Sequence, residues 1–260
     1  MPGSVFDALA EDYDAARPAY PDGLYRALEY ATGPLAGKLV LDGGAGTGIA
    51  TRQLAGRGAR TVGIDIGERM LRRAQAHSPG SCFLLADGNR LPLRDRCVDL
   101  ACFAQSWHWF DQDRAIGEVA RVLRAGGFWA AWWSHAWADG EEWFEIYQDL
   151  LESACPGYDR QHRDPSWAEE RIARTGLFEP ATEFIVRWTR VLSTERWLTF
   201  ERSKSYFGAL GPDARERLLA QIARLVGDRF PDGRMSVPHR TRMWLARRAR
   251  GSLQWRPDPR

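Results

Sequence analysis

The sequence has little of what marks secreted, membrane-spanning or metal-binding proteins. Its 260 residues contain four cysteines and no C-x-x-C pair, which disfavours a disulfide framework or a zinc finger and favours buried, reduced thiols. No apolar run reaches the length of about 18 residues that a membrane-spanning helix needs. The N-terminal residues carry acids where a signal peptide has an apolar segment. We therefore predict a cytoplasmic protein with no membrane partner and no bound metal.

A strong net charge is also missing. The formal charge is +2, whereas proteins that bind nucleic acid through its phosphates carry a clear excess of basic residues. No internal repeat or low-complexity linker divides the chain. A hydrophobic content of 44% can bury a sizeable core in a chain of this length. We predict one domain over residues 1–260, a small-molecule partner, no nucleic-acid partner, and a monomer or homodimer.

The chain does contain a glycine-rich turn directly after a short apolar run. Residues 38–48 read KLVLDGGAGTG. The apolar letters indicate a buried strand, and Gly44, Gly46 and Gly48 then recur at alternate positions before a predicted helix. A strand, a glycine turn and a helix N-terminus in this order are typical of a nucleotide-binding crevice.

Two residues around this turn bear on which nucleotide it binds. The dinucleotide fingerprint G-x-G-x-x-G fails because Ile49 stands where a small residue is required, and the phosphate loop G-x-x-x-x-G-K-[ST] is absent. Asp42 would repel a pyrophosphate that seeks the helix N-terminus. It would suit a ligand that presents a cation at the same place.

Acidic residues follow three successive predicted strands. Strands and helices alternate from 38 to 135, which is typical of a doubly wound, mostly parallel α/β sheet. Ligands of such sheets bind outside the carboxyl ends of the strands. Asp65 lies near the end of the second strand, 19 residues beyond Gly46, a spacing at which a carboxylate accepts hydrogen bonds from ribose hydroxyls. Asp87 and Gly88 follow the third strand.

Several motifs together resemble those of one enzyme family. The D-x-G-x-G-x-G pattern that begins at Asp42 resembles motif I of the class I S-adenosylmethionine (SAM)-dependent methyltransferases. The segment QSWHWFD at 105–111 resembles the Q-x-x-H-W-F motif of a small-molecule branch that includes trans-aconitate methyltransferases, and RVLRAGG at 121–127 is similar to the family's R-V-L-K-P-G-G turn. The resemblance covers about half of the chain. It implies a Rossmann-like seven-stranded sheet, mostly parallel with an antiparallel last strand.

The resemblance also implies the cofactor, which is SAM with S-adenosylhomocysteine as its product. In the family, an acid after the third strand contacts the adenine amino group, and an Arg-Pro-x-Tyr-Pro segment, present here at 17–21, belongs to a lid over SAM. The predicted cofactor-binding residues are Tyr13, Arg17, Tyr20, Asp42, Gly44, Ala45, Gly46, Gly48, Asp65, Ile66, Met70, Asp87, Gly88, Gln105, Ser106 and Trp107.

The domain is predicted to have four kinds of segment. These are an N-terminal lid at 1–34, a SAM-binding core at 35–136, helical cap insertions at 137–181 and 194–234, and edge strands at 182–193 and 235–249. The cap insertions are expected to cover the methyl acceptor.

Candidate catalytic residues are His108, just past the fourth strand, and His135, just past the fifth. Either histidine can be a base, an acceptor-orienting group or a structural residue; a carboxylate acceptor needs no base, whereas a hydroxyl usually does. Seven of the twelve tryptophans lie between 107 and 143, which predicts an aromatic pocket as well as core packing. The predicted substrate-binding residues are Trp109, Trp133, Trp137, Arg163, Arg202, Tyr206 and Arg240.

These features predict methyl transfer from SAM to a small molecule by in-line displacement. Oxygen, in a carboxylate or hydroxyl, is the favoured acceptor atom. N- or C-methylation of a biosynthetic intermediate is the close alternative. An NAD-dependent oxidoreductase on the same sheet and a SAM-binding protein without methyl transfer are the alternatives from other classes.

Overall fold

The computed structural model describes residues 17–160 and 167–250. Tyr13, Arg163 and the first part of the predicted lid lie outside the described residues. The strands are β1 Leu39–Gly43, β2 Arg60–Asp65, β3 Cys82–Leu85, β4 Val98–Ala104, β5 Leu123–Ala136, β6 Thr182–Ser193 and β7 Arg234–Arg247. The helices are α1 Asp22–Thr32, α2 Ile49–Ala55, α3 Glu68–His77, α4 Gln112–Val122, α5 Glu142–Ala154, α6 Trp167–Arg174, α7 Thr194–Arg202, α8 Ser205–Gly208 and α9 Pro212–Arg229.

The strands form one seven-stranded sheet in the order β3-β2-β1-β4-β5-β7-β6. Neighbours from β3 to β5 pair in parallel, whereas β7 pairs antiparallel with both β5 and β6. This confirms the predicted fold class. The strand order reverses between β1 and β4, the place where ligands of doubly wound sheets bind.

Polar side chains fix the start of β1 within the sheet. The Lys38 ammonium donates to the carbonyl oxygens of Thr32 and Gly33, at 2.6 and 2.7 Å, and so satisfies the end of α1. The Asp99 carboxylate of β4 accepts the Leu39 N–H at 2.8 Å and pairs with Arg124. These contacts tie the segment before the glycine turn to two neighbouring elements.

Buried side chains alternate between the two faces of the central strands. Val40 and Leu100 pack with α1, α2 and Trp132 on one face. Leu41 and Ala101 pack with α4, α6 and Trp129 on the other. A third cluster joins α5, α7 and α9 to the start of β7 and forms the core of the cap.

Some elements differ from their prediction. Strand β5 begins at Leu123, within the 121–127 segment that resembles a family turn, because Leu123 pairs with Val98 ahead of a register shift in the sheet. Helix α6, predicted within the cap, packs Ala168 and Ile172 against the sheet. Cys82 is exposed on β3, which corrects its predicted burial. Among the described helices, none combines the length and apolar character needed to cross a membrane.

Candidate active site

The glycine turn after β1 leaves open space above its middle residue. Gly44, Gly46 and Gly48 have positive φ angles of 68, 54 and 78°, a conformation that glycine adopts without steric cost. A Cβ atom on Gly44 would lie 2.5 Å from Cβ of Ser106, whereas one on Gly46 would meet no described atom within 4 Å. Gly46 therefore presents bare backbone to the crevice, as close approach of a ligand requires.

Asp65 ties the glycine turn to the end of β2. Its Oδ2 accepts the Gly46 N–H at 2.8 Å, and its Oδ1 accepts the Gly67 N–H at 2.8 Å. The carboxylate remains part-exposed and can accept further hydrogen bonds. Ile66 follows with 55% of its surface exposed. An exposed apolar side chain beside a carboxylate fits one edge of a nucleoside.

Asp42 lies beneath the turn, fully buried. The Thr51 hydroxyl donates to its Oδ2 at 2.5 Å, and its Oδ1 has no hydrogen-bond partner among the described residues. Burial raises the pKa of Asp42 to about 7, because desolvation disfavours the charged form. One donor from a ligand would satisfy the second oxygen, so the residue fits a cofactor with an ammonium group.

The segment after β3 forms the rim of the crevice. Asp87 is exposed, and its Oδ1 accepts the Asn89 N–H at 2.9 Å. Gly88 packs so closely under Phe110 that a Cβ atom would lie 2.0 Å from the ring. Met70, on α3, is buried. Asp87 therefore lies exposed just past the end of β3, and the Met70 side chain is buried where α3 packs.

The segment after β4 lies between the crevice and a neighbouring cavity. Gln105 has a positive φ of 58°, and its amide donates to the Ser134 carbonyl at 2.8 Å. The Ser106 hydroxyl donates to the Gly43 carbonyl at 2.5 Å. Trp107 is fully buried against Phe103 and Trp129, which corrects its predicted place in the cofactor site.

A cavity of about 430 Å³ adjoins this segment. Its sheet side is lined by Gln105, His108, Trp109, Trp133, Ser134, His135, Ala136 and Trp167. Its cap side is lined by Arg17, Phe144, Tyr147, Gln148, Gly157, Tyr158, Asp159, Phe200, Lys204, Ser205 and Tyr206. The volume suits a small organic molecule, and both predicted catalytic histidines lie in its wall.

A hydrogen bond from a tryptophan determines the tautomer of neutral His108. The Trp133 indole N–H donates to His108 Nδ1 at 3.2 Å. An indole can only donate, so Nδ1 must carry a lone pair, and the neutral imidazole then has its proton on Nε2. Trp133 is held by edge contacts with Trp167 and Trp244. In this arrangement Nε2 is a donor and does not act as a base.

The cap side of the cavity contains a buried polar triad. The Tyr147 hydroxyl donates to Glu201 Oε2 at 2.7 Å, and Lys204 donates to Glu201 Oε1 at 2.7 Å and to Tyr147 at 3.0 Å. Glu201 is fully buried. Burial lowers the pKa of Lys204, although the Glu201 charge opposes this shift. Burial also raises the pKa of Tyr147 well above its usual value.

The lid residues that the structure describes have different roles. Arg17 lines the cavity, and its guanidinium lies 3.5 Å from the Ser203 carbonyl. Tyr20 instead packs edge-on against Trp132 and exchanges backbone hydrogen bonds with the Gln53 side chain. Tyr20 therefore anchors the segment that brings Arg17 to the cavity.

Three predicted substrate residues do not line the cavity. Trp137 stacks against the Arg240 guanidinium at the end of β5. Arg202 lies on the exposed face of α7. Phe200 and Lys204, on either side of it in the chain, line the cavity. Trp109, Trp133 and Tyr206 also line it.

Sequence reasoning missed most of the cap side, including Tyr147, Gln148, Tyr158 and Glu201. One signal was present in α7, where the charged Glu201 shares a helix face with the apolar Trp197. A charged residue on an apolar face needs a buried partner. That partner lies on α5, and the primary sequence does not indicate that the two helices meet.

The fold and the crevice define a Rossmann-like enzyme that binds a nucleoside cofactor. Residues 41–131 match the family model described as methyltransferase domain. Over 221 residues, the chain is 32% identical to an uncharacterized methyltransferase of Mycobacterium tuberculosis, with 85% of each chain covered. It is also 32% identical to a malonyl-[acyl-carrier protein] O-methyltransferase of Hamiltonella defensa, over 48% of each chain. The chain therefore belongs to the class I SAM-dependent methyltransferases.

A solved structure supports the same assignment. The putative type II methyltransferase of Anaeromyxobacter dehalogenans superposes with a TM-score of 0.66 at 26% identity, covering 89% of this chain and 97% of the other. Membership of this family favours methyl transfer over the oxidoreductase alternative.

Proposed function

We propose that this chain transfers the SAM methyl group to an oxygen of a small-molecule acceptor, a carboxylate before a hydroxyl. SAM supplies an electrophilic methyl group on a sulfonium. Asp42, Gly46 and Asp65 are the residues that would hold it, since they offer an unsatisfied buried oxygen, bare backbone and a part-exposed carboxylate. Gln105 and His108 separate this crevice from the acceptor cavity.

The observation that carries the choice of oxygen is the hydrogen bond from Trp133 to His108. It assigns the proton of the neutral ring to Nε2, so a hydrogen bond donated by His108 to the acceptor would come from Nε2–H. A carboxylate oxygen can accept that hydrogen bond with one lone pair and attack with another. An amine has a single lone pair and cannot do both. A hydroxyl acceptor must also lose a proton, which this form of His108 does not take.

We also propose which branch of the family the chain belongs to. The QSWHWFD segment supports the small-molecule branch that includes trans-aconitate methyltransferases. The O-methyltransferase relative aligns over less than half of the chain, so its acceptor does not transfer to this protein. Positioning in the cavity, worth on the order of 7–11 kcal/mol in favourable cases, would supply much of the acceleration.

Methyl transfer from radiolabelled SAM to matched acceptors tests the proposal. Each carboxylic acid is offered beside the alcohol and the amine with the same carbon skeleton. We expect label in a product that alkali hydrolyses, as it does a methyl ester. Label in an alkali-stable N-methyl or C-methyl product would contradict the oxygen assignment. An Asp65→Ala variant is the control, since weaker SAM binding should lower labelling of every acceptor.

A further inference from the structure

The cap side of the cavity carries a charge arrangement that the proposed methyl transfer does not use. Both oxygens of Glu201 are engaged, one by Tyr147 and one by Lys204. Glu201 is fully buried, whereas the Lys204 side chain is 17% exposed and lines the cavity. The ammonium therefore lies between the carboxylate and the cavity, and a ligand meets the positive partner first.

Two arginines add to this positive charge. The charged groups of Arg17, Arg190 and Lys204 lie 5.2, 4.7 and 4.6 Å from the centre of the Phe200 ring. Burial, together with the charges of Arg196 and Arg17, lowers the pKa of Arg190 to about 10. The Phe200 ring face offsets part of the repulsion between these cations.

The groups that act on the Lys204 ammonium are Glu201, Arg17 and Arg190. Asp159 also lines the cavity and is the single carboxylate among the described lining residues. Hydroxyl groups of Ser205 and Tyr206 lie on the same wall. The wall thus combines positive charge with neutral hydrogen-bond donors, a combination suited to an anion.

We propose that this cap-side wall, formed by Arg17, Lys204, Ser205 and Tyr206, is a subsite for a second anionic group of the acceptor, remote from the oxygen that is methylated. The inference rests on the proposed function for the reacting end of the acceptor. The group is a carboxylate or a phosphate in class. The acceptor is therefore a small molecule with two acidic groups, whose body lies among the aromatic side chains of the cavity.

Calorimetric titration of the full chain saturated with S-adenosylhomocysteine tests the subsite without turnover. The probes are succinate, glutarate, adipate and suberate, each beside the monocarboxylate of equal chain length, and inorganic phosphate. We expect at least one dicarboxylate to bind about tenfold tighter than its monocarboxylate, which corresponds to ~1.4 kcal/mol. Equal affinities within every pair, or no binding by any probe, would overturn the subsite.

Variants assign the effect to the wall. Arg17→Gln removes one positive charge from the wall, and it should reduce the dicarboxylate advantage to about twofold or less. The double variant Glu201→Gln with Lys204→Gln removes the pair without leaving a lone buried charge and should do the same. Arg217→Gln, on the exposed side of α9, deletes an equal charge elsewhere and should keep the advantage. An advantage that persists in both wall variants would place the anion elsewhere.

The two proposals fail in different ways. An N-methyl or C-methyl product combined with a retained dicarboxylate advantage would overturn oxygen as the acceptor atom and leave the subsite standing. Ester formation without a dicarboxylate advantage would overturn the subsite and leave oxygen as the acceptor atom.

Discussion

At the scale of single residues, Asp42 shows how a binding site can be prepared at a cost in stability. The side chain is fully buried with one oxygen unsatisfied, and its pKa rises from 3.8 to about 7 because of desolvation. Between those values the folded protein holds a proton that the unfolded chain has released. A cationic ligand group beside Asp42 would reverse the balance and favour the carboxylate.

The stability of the ligand-free protein should therefore fall as pH rises through this window. For wild type relative to Asp42→Asn, we expect an extra loss in the free energy of unfolding of up to ~1.4 kcal/mol per pH unit between about pH 4 and pH 7. Urea denaturation at several pH values measures the difference, and subtraction of the variant removes the other titrating groups. Parallel profiles for the two proteins would show that Asp42 does not hold the proton.

His108 should behave as a donor and not as a base. Loss of a hydrogen bond to a carboxylate costs about 1.5–3 kcal/mol, so His108→Ala should lower kcat for a carboxylate acceptor by about ten- to a hundredfold. His108→Gln retains an N–H donor and should recover much of the rate. Equal kcat values for His108→Gln and His108→Ala would contradict the donor role.

The sequence supports residue roles only where a motif fixes backbone geometry. Asp65 and Gly46 could be predicted because a strand end and a turn set their positions, and the structure joins them by a hydrogen bond. Trp107 could not, since a motif position does not state which way an indole points. The Trp133–His108 contact could not be predicted either, because residue spacing does not determine a side-chain rotamer.

At the scale of elements, a comparison of two glycines distinguishes the effect of backbone strain from the effect of blocked ligand access. Gly46 and Gly233 have similar φ angles, 54 and 69°. A Cβ atom at either position would have open space around it, with Thr194 at 3.9 Å as the nearest neighbour at Gly233. Alanine at either position should destabilise the protein by about 1 kcal/mol. Gly46→Ala should also weaken binding of S-adenosylhomocysteine at least about tenfold, while Gly233→Ala leaves it unchanged.

Thermal unfolding and calorimetric titration of the two variants provide the comparison. Gly44→Ala is a third case, because its Cβ would lie 2.5 Å from Cβ of Ser106, and it should lose more stability than either. Normal cofactor affinity in Gly46→Ala would mean that the ligand does not approach the backbone there.

Elements with a strong periodic pattern could be predicted, and those set by partners could not. Strands β6 and β7 lie close to the predicted edge strands at 182–193 and 235–249, and β7 is antiparallel as the family resemblance implies for the last strand. The early start of β5 depends on the pairing of Leu123 with Val98, which no local sequence pattern indicates. Helix α8 has four residues, too few for a helical period to show.

At the scale of the whole molecule, the residues proposed to bind the cofactor belong to the sheet, whereas much of the proposed acceptor site belongs to the cap. The proposed cofactor residues lie at strand ends, whereas the cap side of the cavity comes mainly from α5 and from the segment that contains α7 and α8, which are far apart in the chain. The cap has its own hydrophobic cluster, separate from the two that cover the sheet. Its acceptor wall could not be predicted because it depends on how these helices pack.

This division predicts that a defect in the cap core will affect the acceptor and spare the cofactor. Phe207 is fully buried in the cap cluster and contacts Tyr206, which lines the cavity. Phe207→Leu should lower the free energy of unfolding by about 1–2 kcal/mol and raise KM for the acceptor several-fold. Affinity for S-adenosylhomocysteine should change by less than about twofold.

Ile116→Val is the matched control, since Ile116 is fully buried in the sheet cluster and the change costs about 0.5–1.5 kcal/mol. A comparable loss of stability there should leave the KM for the acceptor unchanged, because Ile116 does not support the cap wall. Equal effects of the two variants on KM would mean that the cavity responds to global stability. An effect confined to Phe207→Leu would instead show that packing within the cap sets the shape of the acceptor site, independently of the crevice that holds the cofactor.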